Sequence, residues 1–494
     1  MKYLRILNIS LILFFIALSS IASAQNNVIA EVYVDIDKKT ITIPKSFAGI
    51  SIDYESIPYY SGNADKGINQ IFIRLLSNLG TYGNGQGVLR ISRGSDYSWW
   101  NPGGALRPKN IIYDINYDWI TVITEIARQS GIKFILGVNF ANGDPKLGKD
   151  WIFVTSKLFP KGSVIAYEVA DSPELFTNKY FYGEDNKSVI LKGSGWNFEQ
   201  FNREYNNYLI RLKEMIDIQA LLGGAAFINK DWLANLNQFI ELNKEQLNIV
   251  TQKIYPLGKT YTHKDIISES TIKNQIELVK EYVAEANDNS LKYRITELNI
   301  SETGLSNVSN SFYTSLWLTD FLFELATVGV NGVNIHNAGI SYANAFNFYW
   351  KDNKSIAHVN PIYYGLILFS EATQNSASLL NTEIKTTSNI KAWSSIDSLG
   401  TTRITIINKD ESAMGKVLIS VSGTSSKGEL IRLESERLSD SLGVRLAGKT
   451  FDATNDGVLS GTYKFESIIP RDDTYEIILP KLSAAMLTIR KDNY

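Results

Sequence analysis

Residues 166–176 read AYEVADSPELF. An apolar run ends in a small-residue turn, followed by Pro173 and then Glu-Leu-Phe. This layout fits a buried parallel strand that delivers polar side chains at its C-terminal tip. The pattern recurs along the chain. Strands are expected at 48–54, 87–92, 132–139, 164–170, 220–223, 248–252, 293–297 and 332–336. Helical patterns lie between them at 68–78, 114–129, 198–217, 271–286 and 312–328. A further helix, capped by Asp231, runs to about 243, and a last one opens at Pro361. The helix at 114–129 carries Trp119, Ile123, Ile126 and Ala127 on one stripe and stops at Gly131. Eight strands, each followed by a helix or loop, predict an α/β fold, a (β/α)8 TIM barrel over 47–371 with its active site at the strand tips. The rival doubly wound sheet usually has a glycine-rich phosphate loop after its first strand, and none is visible here.

After Ala372 the period changes. Runs such as TRITIIN (402–408), KVLISV (416–421) and YEIIL (475–479) alternate between apolar and polar, separated by Gly, Ser, Asn and Asp. They predict an accessory antiparallel β-sandwich over 372–494. The stretch AEVYVDIDKKTITI (30–43) reads as a hairpin ahead of the barrel that pairs with the sandwich, so 30–46 is assigned to that domain.

The bulk numbers set bounds. A chain of 494 residues with 44% hydrophobic and 20% charged content suits a large barrel plus a second domain. Net charge is −2 and the charges are mixed, which argues against a nucleic-acid partner. The N-terminus carries Lys2 and Arg5, an apolar stretch over 11–18, and Ala22-Ser23-Ala24. It reads as a signal peptide over 1–24, and the mature protein is expected to be secreted or periplasmic with no membrane span. Loss of Lys2 and Arg5 takes the charge to −4. The chain has no cysteine, so its stability rests on its core, without disulfides. His263, His336 and His358 show no metal-ligand spacing, so no metal or cofactor is expected. No G-x-S-x-G elbow supports a serine hydrolase.

A barrel mouth on an exported protein makes glycoside hydrolysis a class to test. That chemistry uses two carboxyl groups, one of which serves as nucleophile or base and the other as acid. The seventh strand, YRITELN (293–299), places Glu297 at its tip, with Glu302 on the following loop. Together with LRISRGSDYSWW (89–100), FILGVNFANGDP (134–145), ITELNIS (295–301), the helix-containing stretch over 311–339 and VNPIYYGLILFSEAT (359–373), this order of segments resembles glycoside hydrolase family 79, the β-glucuronidase and heparanase-like enzymes.

The resemblance implies a barrel with a β-sandwich, a retaining mechanism, an oligo- or polysaccharide partner and Glu297 as nucleophile. The family's fourth strand typically ends in Glu-Ile-Gly-Asn-Glu-Pro. Here the matching residues are Glu168-Val169-Ala170-Asp171-Ser172-Pro173, so the acid/base glutamate is replaced by Ser172 and its asparagine neighbour by Asp171. Lys253 stands where family members often have histidine, and Arg93 where glycine is usual.

A serine hydroxyl cannot act as a carboxylic acid, and general acid help is worth roughly 10²–10⁴-fold. Asp171 is then the candidate displaced acid, unless the substrate needs no strong acid because its leaving group is already stable as an anion. Its alternative role is a hydrogen bond to a sugar or to Lys253. Lys253 and Arg93 are candidates either to bind an acidic sugar such as a uronate or to balance Asp171. Ser172, Tyr255, His336, Asp96 and Trp100 complete the expected substrate-binding set, with Trp99 a further stacking candidate beside Trp100. The expected activity is hydrolysis of a β-linked, acidic glycoside. The alternative is a non-catalytic carbohydrate-binding protein that uses the same cleft.

Overall fold

The computed structural model describes residues 27–491 except 64, 66, 84, 183–186, 352–353 and 454. The signal-peptide expectation lies outside the described residues. Eight parallel strands close into a barrel: β1 (Ala48–Ile52), β2 (Val88–Ile91), β3 (Lys133–Val138), β4 (Val164–Val169), β5 (Leu221–Phe227), β6 (Ile249–Ile254), β7 (Lys292–Leu298) and β8 (Val333–Asn337). Each pairs with its neighbours in chain order, and β8 closes on β1 through Val333↔Ala48 to Asn337↔Ile52. β5 is longer than the apolar run suggested, continuing to Phe227.

Helices cover the outside of the barrel. Asn69, Asn116 and Asn197 each accept a backbone N–H from the first turn of the helix they precede. Helix Pro145–Leu158, between β3 and β4, was not legible in the sequence; Asp144 caps it and Pro145 opens it. The expected helix start at 114 is corrected to Tyr117, because Tyr113–Ile115 forms a short strand against Ser98–Trp100. The expected cap at Asp231 is corrected to Asn229, which caps the short helix Lys230–Leu233; helix Leu236–Asn243 follows.

The barrel interior is layered. Val88, Ile135, Ala166 and Ile249 form an apolar cluster. Strand alternation places Arg90, Gly137 and Glu168 one step higher on the same inner face. A Cβ on Gly137 would lie 2.7 Å from Ser92 Cα and Ser92 Oγ, so this position has no room for a side chain.

The accessory domain is one sheet that curls on itself. Its order is Val444–Leu446, Gly428–Ser435, Ser483–Ile489, Thr402–Asn408, Ile390–Ile396, Ser378–Lys385, Val28–Thr42, Gly415–Val421 and Thr474–Leu479. The two ends of this order meet, with Tyr475 Oη donating to Ser426 O at 2.6 Å and Arg432 Nη1 to Ile478 O at 2.9 Å. Val32, Ile404, Ile419, Leu430, Ile477 and Leu487 fill the space enclosed. The expected N-terminal hairpin is corrected. Val28–Thr42 is one irregular strand, antiparallel to Ser378–Lys385 and parallel to Gly415–Val421, which makes the sheet mixed at that one pairing.

Helices Tyr313–Thr327 and Pro361–Ala372 are apolar all round because they lie between barrel and sandwich. Trp393 of the sandwich stacks on Phe323 at 5.6 Å and 7°. Its Nε1 donates to Asp320 Oδ1 at 2.9 Å, and Lys409 Nζ lies 2.6 Å from Asp320 Oδ2. Both members of this ion pair are buried, with side-chain exposures of 1% and 0%. Removing one partner strands the other charge in a dry site. Asp320→Ala is therefore expected to lower stability by about 3–5 kcal/mol in denaturant unfolding. A loss below about 1 kcal/mol would show that the clamp carries little of the domain contact.

Candidate active site

Glu297 occupies the tip of β7 and is fully buried. Simple alternation from Arg294, whose guanidinium donates to Asn334 Oδ1 at 2.9 Å inside the barrel, would turn Glu297 outward. The register prevents this. Thr251 pairs with Arg294 and Gln252 with Ile295, but Lys253 pairs with Glu297. The extra residue, Thr296, is a β-bulge that swings Glu297 to the inner face opposite Lys253.

Arg90 is the centre of the site. It is fully buried on β2 and donates to Glu168 Oε2 through Nε at 2.7 Å and through Nη2. Its Nη1 reaches Glu297 Oε1 at 2.5 Å and Ser51 Oγ at 3.0 Å, and its Nη2 also reaches Asp171 Oδ2 at 3.3 Å. Lys253 is the second cation. Its ammonium contacts Asp171 Oδ1 and lies 3.0 Å from Glu297 Oε1. Tyr255 Oη donates to Glu297 Oε2 at 2.7 Å. Two carboxylates that share one ammonium have their nearest oxygens within about 6 Å of each other.

Burial alone would favour the neutral form of Glu297. His336, 3.9 Å from Glu297 Oε2, and the Lys253, Arg90 and Arg93 cations oppose that and hold its carboxyl well below the usual range. Burial drives the pKa of His336 itself down to about 3, which leaves the three cations to act on Glu297 at neutral pH. A carboxylate kept ionised, with oxygens aimed into a cavity, can act as nucleophile or base.

Asp171 is fixed from several sides. Asp96 Oδ2 accepts its backbone N–H at 2.8 Å, and Asp96 Oδ1 accepts the N–H groups of Phe140 and Ala141 at 2.9 and 3.0 Å. Ser172 has a left-handed backbone, φ 54°, and its Oγ donates to Ala226 O at 3.1 Å. The same hydroxyl lies 3.3 Å from Asp171 Oδ1. Both Asp171 oxygens therefore contact cations, and Ser172 supplies no acid.

The cavity holding these groups has a volume of about 190 Å³. Asp53, Arg93, Asp171, Ser172, Tyr255 and Glu297 line it. The structure thus brings together Glu297, Asp171, Ser172, Lys253, Arg93 and Tyr255, with His336 behind Glu297. Arg93 Nη2 pairs with Glu302 at 3.0 Å on the rim. Asp96 also borders the cavity, but its oxygens are spent on backbone groups, which makes it a positioning residue. Trp100 departs from expectation. It packs on Tyr117 at 5.3 Å and Trp151 at 6.2 Å, and with Trp99 it borders a separate crevice that does not include Glu297.

Sequence reading missed Arg90 and Asp53. The available signal for Arg90 was a lone arginine inside the apolar strand VLRI. Asp53 follows β1 directly, and its Oδ1 is buried without a hydrogen-bond partner, 3.6 Å from His336 Nε2. No group of acidic or histidine side chains among the described residues could hold a metal ion.

No protein-family model matches the chain, and no curated protein matches it in sequence. Solved structures do match in fold. A 4-O-α-L-rhamnosyl-β-D-glucuronidase from Fusarium oxysporum 12S, solved as its Rha-GlcA complex, superposes with a TM-score of 0.76 at 14% identity, covering 92% of this chain and 100% of its own. A family 51 arabinofuranosidase from Xanthomonas axonopodis pv. citri gives 0.71 at 14% identity, covering 94% and 100%. An α-L-arabinofuranosidase from Thermotoga maritima, solved with arabinose, gives 0.67 at 14% identity, covering 94% and 100%. The fold is therefore that of the (β/α)8-barrel glycoside hydrolases with an accessory β-sandwich.

Burial raises the Asp53 carboxyl to about 8, with Arg93 opposing and Glu297 reinforcing the shift. A raised folded-state pKa contributes stability that is complete below the unfolded value near 4 and is lost as pH rises through about 8. Asn mimics the protonated acid. Asp53→Asn is accordingly expected to shrink the fall in melting temperature between pH 6 and about 9. An identical fall in both proteins would mean that Asp53 takes no part in the alkaline loss.

Proposed function

We propose that this chain is an exported glycoside hydrolase acting on a β-linked, uronate-containing glycoside by a retaining-type mechanism, divergent from glycoside hydrolase family 79 at its acid/base position. One observation carries the reading: Glu297 is held ionised between Arg90, Lys253 and Tyr255, while Asp171 contacts the same ammonium. That spacing is compatible with a retaining pair, whose carboxyls stand about 5–5.5 Å apart.

In this mechanism Glu297 attacks the anomeric carbon and forms a glycosyl ester as the bond to the leaving oxygen breaks. Tyr255 and Arg90 align its two oxygens for attack. Asp171 is the proton carrier: it takes up a proton from water in the cavity and passes it to the leaving oxygen. In the free protein both its oxygens face cations, so donation requires one to be released. The carboxylate of a bound uronate would compete for Lys253 and free Asp171 Oδ1 to face the leaving oxygen. Arg93, on the cavity rim, supplies a second cation for the same carboxylate. This assigns the acidic sugar a part in its own cleavage as well as in recognition.

The test is turnover of paired aryl and alkyl β-glucuronides. Activated dinitrophenyl glucuronides need little acid help, whereas alkyl glucuronides need much. Wild type is expected to cleave the activated compound with retention of anomeric configuration, and Glu297→Gln to lose that activity. Asp171→Asn should depress alkyl glucuronides by about 10²-fold or more and activated ones far less. Ser172→Glu should raise the alkyl rate, within the roughly 10²–10⁴-fold range of general acid catalysis. Equal losses on both substrates in Asp171→Asn would remove Asp171 from the acid role.

A second reading is favoured by Ser172 and by the doubly paired Asp171: a protein that binds the glycan and does not cleave it. It wins if wild type and Ser172→Glu both leave activated glucuronides intact while glucuronide binding is measurable.

A further inference from the structure

An ion pair joins the β2 and β7 sides of the cavity rim. Arg93 lies in the turn after β2 and Glu302 in the turn after β7, and both border the cavity that holds Glu297 and Asp171. Arg93 Nη2 donates to Glu302 Oε1 at 3.0 Å. Among the described residues this is the one ion pair that Arg93 makes. The proposed chemistry gives a task to Arg93 and none to Glu302.

Both side chains are anchored at the backbone and free at the tip. Arg93 O accepts the Tyr54 N–H at 2.9 Å, and Ser92 O accepts the Ser95 N–H at 2.8 Å, which closes the turn. Ile300 O accepts the Leu257 N–H at 3.1 Å, and Ser301 Oγ accepts the Gly304 N–H at 3.2 Å. A Cβ on Gly304 would lie 2.7 Å from Ala343 N, so the Glu302 turn is seated against the loop after β8. The Arg93 and Glu302 side chains themselves are 37% and 51% exposed. The pair can therefore open by side-chain rotation while both turns stay in place.

The other acids facing Arg93 are engaged or favour their neutral form. Arg90, Lys253 and Tyr255 hold Glu297. Burial raises the Asp53 carboxyl to about 8 and also raises that of Glu55, which accepts from Tyr97 Oη at 2.7 Å. Glu302 is thus the carboxylate that occupies Arg93 in the free protein.

We propose that Glu302 stands in for the carboxylate of the substrate: it holds Arg93 until an acidic sugar takes its place, and so sets how strongly the site prefers a uronate over its neutral counterpart. This rests on the reading of the barrel mouth as a uronate site and adds the residue that regulates its preference. Like charges at one guanidinium edge repel, so Glu302 turns out to water when the sugar carboxylate arrives. An exposed pair is weak and screened by salt, so its opposition amounts to about threefold to fivefold in affinity.

The test is calorimetric titration of the full chain with phenyl 1-thio-β-D-glucuronide and phenyl 1-thio-β-D-glucoside, whose thio linkage resists cleavage. Glu302→Gln keeps the length of the side chain and removes its charge. It is expected to bind the thioglucuronide about threefold to fivefold tighter than wild type at low salt, with the gap closing toward about 1 M salt. Its affinity for the thioglucoside should be unchanged. Arg93→Met should weaken the thioglucuronide, and adding Glu302→Gln to it should restore nothing. Equal affinity of wild type and Glu302→Gln for the thioglucuronide would overturn the proposal. So would an equal gain on both ligands, or a gain that survives Arg93→Met. The outcomes separate from those of the catalytic reading. Tighter thioglucuronide binding by Glu302→Gln, without turnover of activated glucuronides by wild type, would remove catalysis and keep the role of Glu302. Turnover by wild type with no gain in Glu302→Gln would do the reverse. A thioglucuronide that binds none of these proteins would overturn both.

Discussion

A single buried guanidinium organises this molecule. Arg90 has no exposed surface and divides its donors among Glu168, Asp171, Glu297 and Ser51. Three acidic side chains crowd one dry layer of the barrel, and burying them together requires that cations stand between them. Arg90 does this from β2, Lys253 repeats it from β6, and the apolar cluster of Val88, Ile135, Ala166 and Ile249 fills the interior away from them. The charged layer is expensive to bury, and its members are held by hydrogen bonds on almost every side. Glu168 and Asp96 belong to this support: one orients Arg90 and the other anchors the backbone of Asp171.

The same network accounts for the residues at the tip of the fourth strand. A carboxylate at Asp171 adds negative charge next to Glu297, and Lys253 sits where it can neutralise both. Ser172 then turns away from the acid role, with its hydroxyl tied to Ala226 O and its backbone in the left-handed region. The result is a site in which Glu297 and Asp171 share one ammonium, so whatever else binds Lys253 bears on both. Under the proposed mechanism an anionic substrate is favoured over a neutral one, because its own charge competes for Lys253.

The barrel was legible because its strands are short apolar runs that end in polar tips, and β4 and β7 show that grammar plainly in AYEVADSP and YRITELN. Glu297 was found from its position at a tip, although its inward direction depends on the Thr296 bulge, which no alternation rule announces. Arg90 escaped notice because one charge inside VLRI looks like an edge or a snorkel until the facing carboxylates are known. Helix Pro145–Leu158 was hidden by GDPKLGKD, which reads as loop although Asp144 and Pro145 are a proper helix start. The polar centre of Val28–Thr42 imitated a hairpin turn, whereas the strand runs on with register shifts past Asp35 and Lys39. Trp100 was misplaced because aromatic content says nothing about which crevice a ring will fill.

The central claim is that Glu297, kept ionised by Arg90 and Lys253, is the atom donor to the anomeric carbon. The most direct measurement is trapping with a fluorinated deoxy β-glucuronide carrying an activated leaving group, followed by peptide mass spectrometry. Formation of the ester expels the leaving group and adds one glycosyl unit to the enzyme. The account predicts a single label on the peptide containing Glu297. A label on Asp171, or none despite steady release of the leaving group, would contradict it.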